Sequence, residues 1–104
     1  MDTLTREQVA VTRGLDDWQY VADTLRAQFR LDSFEAGGAF VARLARAADE
    51  AGHHPDLDLR YPGVVAVRLT THSAGGVTDR DVELALRCSE LAARAGARAT
   101  GPGD

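Results

Sequence analysis

A chain of 104 residues with 44% hydrophobic content can bury one core and not two, because folding at this size hides roughly 60 to 70% of the unfolded surface. A charged fraction of 27%, spread along the whole length, argues against disorder. The sixteen acidic and twelve basic residues leave a net charge of −4, which lacks the basic excess of a nucleic-acid binder; all the basic residues are Arg.

Cys88 is the one cysteine, so neither an internal disulfide nor a thiolate metal site is expected, and a reducing compartment suits it. The opening residues from Met1 to Glu7 carry an early acid and no apolar stretch, unlike a signal peptide. No apolar run exceeds four residues, where a membrane span needs roughly 20. A cytoplasmic protein that does not enter a membrane is expected.

Thr5 followed three residues later by Gln8 matches a capping box and predicts a short helix over Arg6 to Arg13, ended by Gly14. Leu25, Ala27, Phe29 and Leu31 alternate with Arg26, Gln28 and Arg30, the pattern of a half-buried strand. Trp18 to Val21 is its expected hairpin partner, joined through Ala22-Asp23-Thr24. Ser33 alone, or Asp32 with Glu35, can cap a second helix whose apolar side carries Phe40, Val41, Leu44, Ala47, Ala48 and Ala51. Gly52 is placed to end it, and Gly37-Gly38 weakens its first half by about 1 kcal/mol per Gly. Leu57, Leu59 and Tyr61 alternate with Asp58 and Arg60; Pro62-Gly63 turns the chain, and Val64 to Thr71 is rich in β-branched residues. Thr78 with Asp81 opens a last helix running to about Ala95.

The predicted order is α-β-β-α-β-β-α, which the α+β class satisfies with a four-stranded antiparallel sheet and helices packed on one face. We expect one domain over residues 1–104 with frayed ends at about 1–4 and 97–104, since the tail offers turn formers and no large apolar anchor. Open sheet edges predict a homodimer or homotetramer, because natural proteins pair or cover such edges.

All three histidines fall within twenty residues: His53 and His54 after the second helix, His72 at the end of the fourth strand. His53 lies just past the terminating Gly52, where the negative end of the helix dipole favours an imidazolium suited to proton donation. Pro55 extends the exit and holds the two neighbouring imidazoles apart. Three His can also bind a metal with an open position, but the i, i+4 spacing is missing and adjacent rings converge poorly on one ion. A third reading makes them solvated histidines at a helix end. For the others, local reasons suffice: Asp81 as a helix cap, Trp18 and Phe40 as core, Cys88 as a small buried apolar residue, and Asp49 as a solvated helix residue.

The run Asp49-Glu50-Ala51-Gly52-His53-His54-Pro55, with Tyr61, then Thr71-His72 and Asp81, resembles the signature of the pterin-4a-carbinolamine dehydratases. The likeness extends through Trp18, Phe29-Arg30-Leu31, Phe40 and Gly75-Gly76-Val77-Thr78, from about Leu4 to Ala93. The resemblance implies a hydro-lyase that needs no metal or other cofactor and dehydrates 4a-hydroxytetrahydropterin to quinonoid dihydropterin in tetrahydropterin recycling. It also implies an α+β saddle and a dimeric or tetrameric assembly. By position, His53 and His72 would be the acid/base pair and His54 would orient the substrate. Thr71 and Ser73 would offer backbone groups to the pterin edge, with Asp49 and Asp81 at the margin. Two departures stand out: ten residues separate Tyr61 from His72 where the family usually has nine, and Leu57 replaces a common aromatic. We expect the extra residue to sit in the Pro62-Gly63 turn, leaving His72 in register. Because relatives also serve as partners of other proteins, the alternative is a non-enzymatic dimerisation or regulatory module on the same fold.

Overall fold

The spacing of Thr5 and Gln8 starts a helix. In the computed structural model, which describes residues 2–101, the Gln8 N–H donates to the Thr5 hydroxyl at 3.1 Å and the Thr5 N–H to the Gln8 amide oxygen at 2.8 Å. Helix α1 (Arg6–Ala10) stops short of the expected Arg13, because the Thr12 N–H turns to the Val9 carbonyl at 3.0 Å.

Strands β1 (Gln19–Val21) and β2 (Thr24–Arg30) form a hairpin in which Val21 pairs with Thr24. The connection is therefore the two residues Ala22-Asp23 and not three. Both have positive φ, 49° and 63°, as a two-residue hairpin requires for its twist to match the strands. Trp18 precedes β1 and is buried in the core, its indole N–H donating to Ser89 Oγ at 2.8 Å.

Helix α2 (Phe34–Ala51) is capped by Ser33, whose Oγ accepts the Ala36 N–H at 3.0 Å. Phe40 meets Phe29 of β2 edge-on with ring centroids 5.8 Å apart. Gly37 lies at a close approach: a Cβ there would come within 2.6 Å of Leu59 Cδ1, which would have to swing aside, and 3.6 Å from the Gly63 backbone. Its absence lets α2 lie against β3 (Asp56–Arg60) and the turn into β4 (Val64–Leu69). Those strands pair without interruption from Arg60↔Val64 to Asp56↔Arg68. The three residues Tyr61 to Gly63 make the turn, and β4 delivers Leu69 and the following Thr71 with no bulge to change their facing.

Helix α3 (Asp79–Arg94) starts at the Thr78/Asp81 box and packs beside α2. The sheet order is β1-β2-β4-β3, all antiparallel. Leu25, Phe29, Val65, Val67 and Leu69 are buried toward the helices, giving the expected α+β layering and element order. The opposite face carries Arg26, Gln28, Asp56, Asp58, Ala66 and Arg68 around an open groove of about 950 Å³.

Both described ends make backbone contacts with the rest of the fold. The Leu4 N–H donates to the Val77 carbonyl at 2.7 Å. A fifth short strand, β5 (Arg98–Ala99), pairs with Arg30 and Phe29 on the stretch of β2 that β1 leaves uncovered, and the Thr100 N–H reaches the Gln28 carbonyl at 2.8 Å. Backbone hydrogen bonding to an unpaired edge holds this segment without a large apolar anchor. Residue 1 and residues 102–104, which fall under the expectation of frayed ends, lie outside the described residues. Among the described residues no helix is long and apolar enough to cross a membrane.

Candidate functional site

Gly52 ends α2 with φ 63°, a left-handed conformation that lets the chain double back under its own last turn. The His53 N–H then donates to the Ala48 carbonyl at 3.2 Å, while Arg80 Nη2 of α3 donates to the Gly52 carbonyl at 2.7 Å. The direction in which the histidines leave the helix is thus set from both sides. Pro55 follows and commits the chain to β3.

The two imidazoles diverge. His53 turns inward, its Nε2 2.5 Å from Asp81 Oδ1, with side-chain exposures of 11% and 0%. The other Asp81 oxygen, Oδ2, accepts the Thr71 hydroxyl at 2.7 Å and the Thr78 N–H at 2.9 Å, and the two threonine hydroxyls lie 2.8 Å apart. Among the described residues no buried side-chain polar atom lacks a partner. His54 turns outward to Asp49, Nε2 to Oδ1 2.9 Å, a pair that is 64% and 80% exposed. His72 opens a single 3-10 turn (His72–Ala74), and it and Ser73 are exposed to solvent.

The structure therefore links His53, Asp81, Thr71 and Thr78 in one network that ends beside His72, and it leaves His54 with Asp49 on the surface. Asp81 is fully buried and stands behind the His53 ring. It does cap α3 as its spacing suggests, with one carboxylate serving both tasks. Thr71 was expected to present its backbone, but its N–H donates to the Gly76 carbonyl at 2.9 Å and its carbonyl accepts Ala74 and Gly75 N–H at 3.0 Å. Its hydroxyl joins the network with Asp81 and Thr78.

Arg80 and Thr78 join this network; Arg80 was not singled out from the sequence, and Thr78 was read there as a helix cap and not as a site residue. For Arg80 a signal existed, since a cation in the first turn of a helix opposes the helix dipole and calls for a partner elsewhere. Cys88, buried in α3, has its thiol pushed up to about 12 by desolvation, so it is no nucleophile near neutral pH. Among the described residues no group of three or more His, Cys, Asp or Glu is placed to hold a metal ion. The arrangement provides one imidazole oriented by a buried carboxylate and a second exposed imidazole one residue from the same network, a pairing suited to proton transfer.

A family model described as pterin 4 alpha carbinolamine dehydratase matches residues 2–91. A protein of Nocardia farcinica, provisionally named a pterin-4-alpha-carbinolamine dehydratase, is 45% identical over 92 residues, spanning 88% of this chain and 96% of its own. A Thermomicrobium roseum protein with the same provisional name is 45% identical over 83 residues, spanning 80% of this chain and 88% of its own. Among solved structures, one titled transcriptional coactivator/pterin dehydratase from Brucella melitensis superposes with a TM-score of 0.79 at 32% identity, covering 88% of this chain and 99% of that one.

Proposed function

The chain belongs to the pterin 4α-carbinolamine dehydratase family, and from that premise we propose that it is a hydro-lyase converting 4a-hydroxytetrahydropterin to quinonoid dihydropterin, with histidines as the acid and base, in tetrahydropterin recycling. The observation that carries the reading is the His53–Asp81 pair, a nearly buried imidazole backed by a fully buried carboxylate. Loss of water from the 4a carbon needs a proton on the departing hydroxyl and removal of a proton from the neighbouring ring nitrogen. One imidazole can supply the first and another accept the second. His53 takes the acid role and His72 the base role for one face of the carbon, and the roles exchange for a hydroxyl on the opposite face. His54, steadied by Asp49, orients the pterin, and Ser73 meets its polar edge beside His72. No metal or redox cofactor takes part in this scheme.

Stopped-flow absorbance of freshly generated 4a-hydroxytetrahydropterin tests the proposal. Acceleration at micromolar protein that survives a chelator is expected. No acceleration would favour the non-enzymatic reading, to which the coactivator half of the Brucella structure's title gives some support. Loss with chelator and rescue by zinc would turn the histidines into ligands. The proposal includes a cytoplasmic setting and association of copies through the open β3 edge into a homodimer or homotetramer. Light scattering giving an 11.1 kDa particle at high concentration would remove that last element.

A further inference from the structure

Asp81 sits where the start of α3, the end of β4 and the exit from α2 meet, and the hydrogen bonds it receives have a definite sense. One donor to Oδ2 is the Thr78 peptide N–H, 2.9 Å away, which can only donate. The other is the Thr71 hydroxyl, 2.7 Å from Oδ2 and 2.8 Å from the Thr78 hydroxyl. A hydroxyl has a single proton. Once Thr71 gives it to the carboxylate, its oxygen must accept from Thr78, so the chain runs one way: Thr78 hydroxyl to Thr71 hydroxyl to Asp81 Oδ2. A proton placed on Oδ2 would confront two donors, which leaves that oxygen as an acceptor. Oδ1 then remains for His53, whose Nε2 lies 2.5 Å away.

We infer that Thr71 and Thr78 are positioning residues which, through Asp81, hold the neutral His53 ring with its proton on Nε2 and leave Nδ1 as the nitrogen that exchanges a proton with the substrate. The inference rests on the dehydratase reading and deepens it by assigning the reacting atom and the side chains that select it. In the forward step the Nδ1–H bond of the His53 imidazolium breaks and the leaving hydroxyl takes the proton. The carbon–oxygen bond breaks with its electron pair going to water, and the pterin ring nitrogen gives its own proton to neutral His72 as the carbon–nitrogen double bond forms. His53 ends as the Nε2–H form that Asp81 favours, and His72 ends protonated. Solvent exchange then resets both rings. Throughout, the Nε2–H stays on Asp81, so the carboxylate neither gains nor loses a proton.

The buried setting gives the threonines their leverage. Thr71, Thr78 and Asp81 are 5%, 0% and 0% exposed, so water cannot replace a hydroxyl that is removed. A carboxylate short of one donor at Oδ2 is free to rotate or to take a proton there, and either change releases the ring.

Long-range proton–nitrogen correlation spectra of histidine-labelled protein, recorded without substrate and titrated until His53 is neutral, report the tautomer directly. His54→Gln and His72→Gln spectra assign the peaks. The wild-type protein is expected to show protonated Nε2 and bare Nδ1 at His53. Thr71→Val should mix the tautomers and lower kcat about 10- to 100-fold, as mispositioned groups do, with KM nearly unchanged. Thr71→Ser, which keeps the hydroxyl, should restore both. A wild-type His53 protonated on Nδ1 overturns the inference, whether or not Thr71→Val folds. So does a folded Thr71→Val protein with the wild-type tautomer and kcat. Because the tautomer is read without turnover, a protein lacking dehydratase activity would sink the functional proposal and leave this spectrum unchanged.

Discussion

His53 and His54 are neighbours in sequence and each sets Nε2 against an aspartate, Asp81 at 2.5 Å and Asp49 at 2.9 Å. The first pair lies almost entirely out of water and the second almost entirely in it. Asp49 reaches His54 from the same helix exit, five residues away, and nothing else holds that carboxylate in place by a side-chain bond in the described set. Asp81 comes from another helix, 28 residues on, and is held by two further donors. Identical partners in nearly identical geometry thus do different work: screening and side-chain entropy reduce the exposed pair to a fraction of a kcal/mol, while the buried pair ties three elements together. Interatomic distance alone does not rank them. The partners of the partners do.

The contrast can be broken most severely at the chemistry. Replacing both His53 and His72 by Ala should remove about 10²- to 10⁴-fold of rate and bring turnover near the uncatalysed value. Either single change should keep partial activity and alter the preference between the two 4a stereoisomers. His54→Ala should act chiefly on KM. Stopped-flow rates on each isomer measure all three, and a double variant with nearly full activity would contradict the roles given to both rings.

Stability is the next lever. Asp81→Ala strands His53, Thr71 and the Thr78 N–H together and should cost about 3 to 5 kcal/mol in urea unfolding. Asp49→Ala should stay within about 0.5 kcal/mol. Equal losses would mean that burial does not separate the pairs. Arg80→Ala frees the Gly52 carbonyl and should cost about 1 kcal/mol, with faster amide exchange at His53 as a local sign. The smallest effect concerns salt. Between about 0.1 and 1 M the screening length falls from about 10 Å to about 3 Å. The coupling of His54 with Asp49 in a double-mutant cycle should therefore shrink toward zero, and that of His53 with Asp81 should hold.

What could be read from sequence was local. Thr5 with Gln8, Ser33 and Thr78 with Asp81 announce helix starts because a side chain three residues away satisfies a backbone donor, and Gly52 announces a stop because few other residues take its φ. The alternation in β2 reveals a strand whose one face is buried. Features that depend on distant chain were hidden. β5 exists because β1 is too short to cover β2, a fact of tertiary layout that the composition of Arg98 and Ala99 does not express. The Ala22-Asp23 turn lacks the Asn-Gly signal its backbone would favour, so the hairpin seemed one residue longer in its loop than it is. At the site, the three histidines were visible as a cluster. Which of them meets Asp81 was not, since no local rule couples the exit of one helix to the third residue of another.

Gly37 lies far from the chemistry but on the same helix that delivers it. Helix α2 is a rod about 27 Å long, seated at one end in the notch that Gly37 leaves against Leu59 and Gly63 and delivering His53 at the other. A rigid rod is a lever: a side chain too bulky for the tip of Leu59 to yield to would press on the Gly63 backbone, and a tilt at that end would be carried over about 24 Å to the end where Gly52 meets Arg80. Gly37→Ala needs only the tip of Leu59 to swing aside and should leave the alignment of the imidazole with the buried carboxylate intact, whereas a bulkier residue at the same position should disturb it.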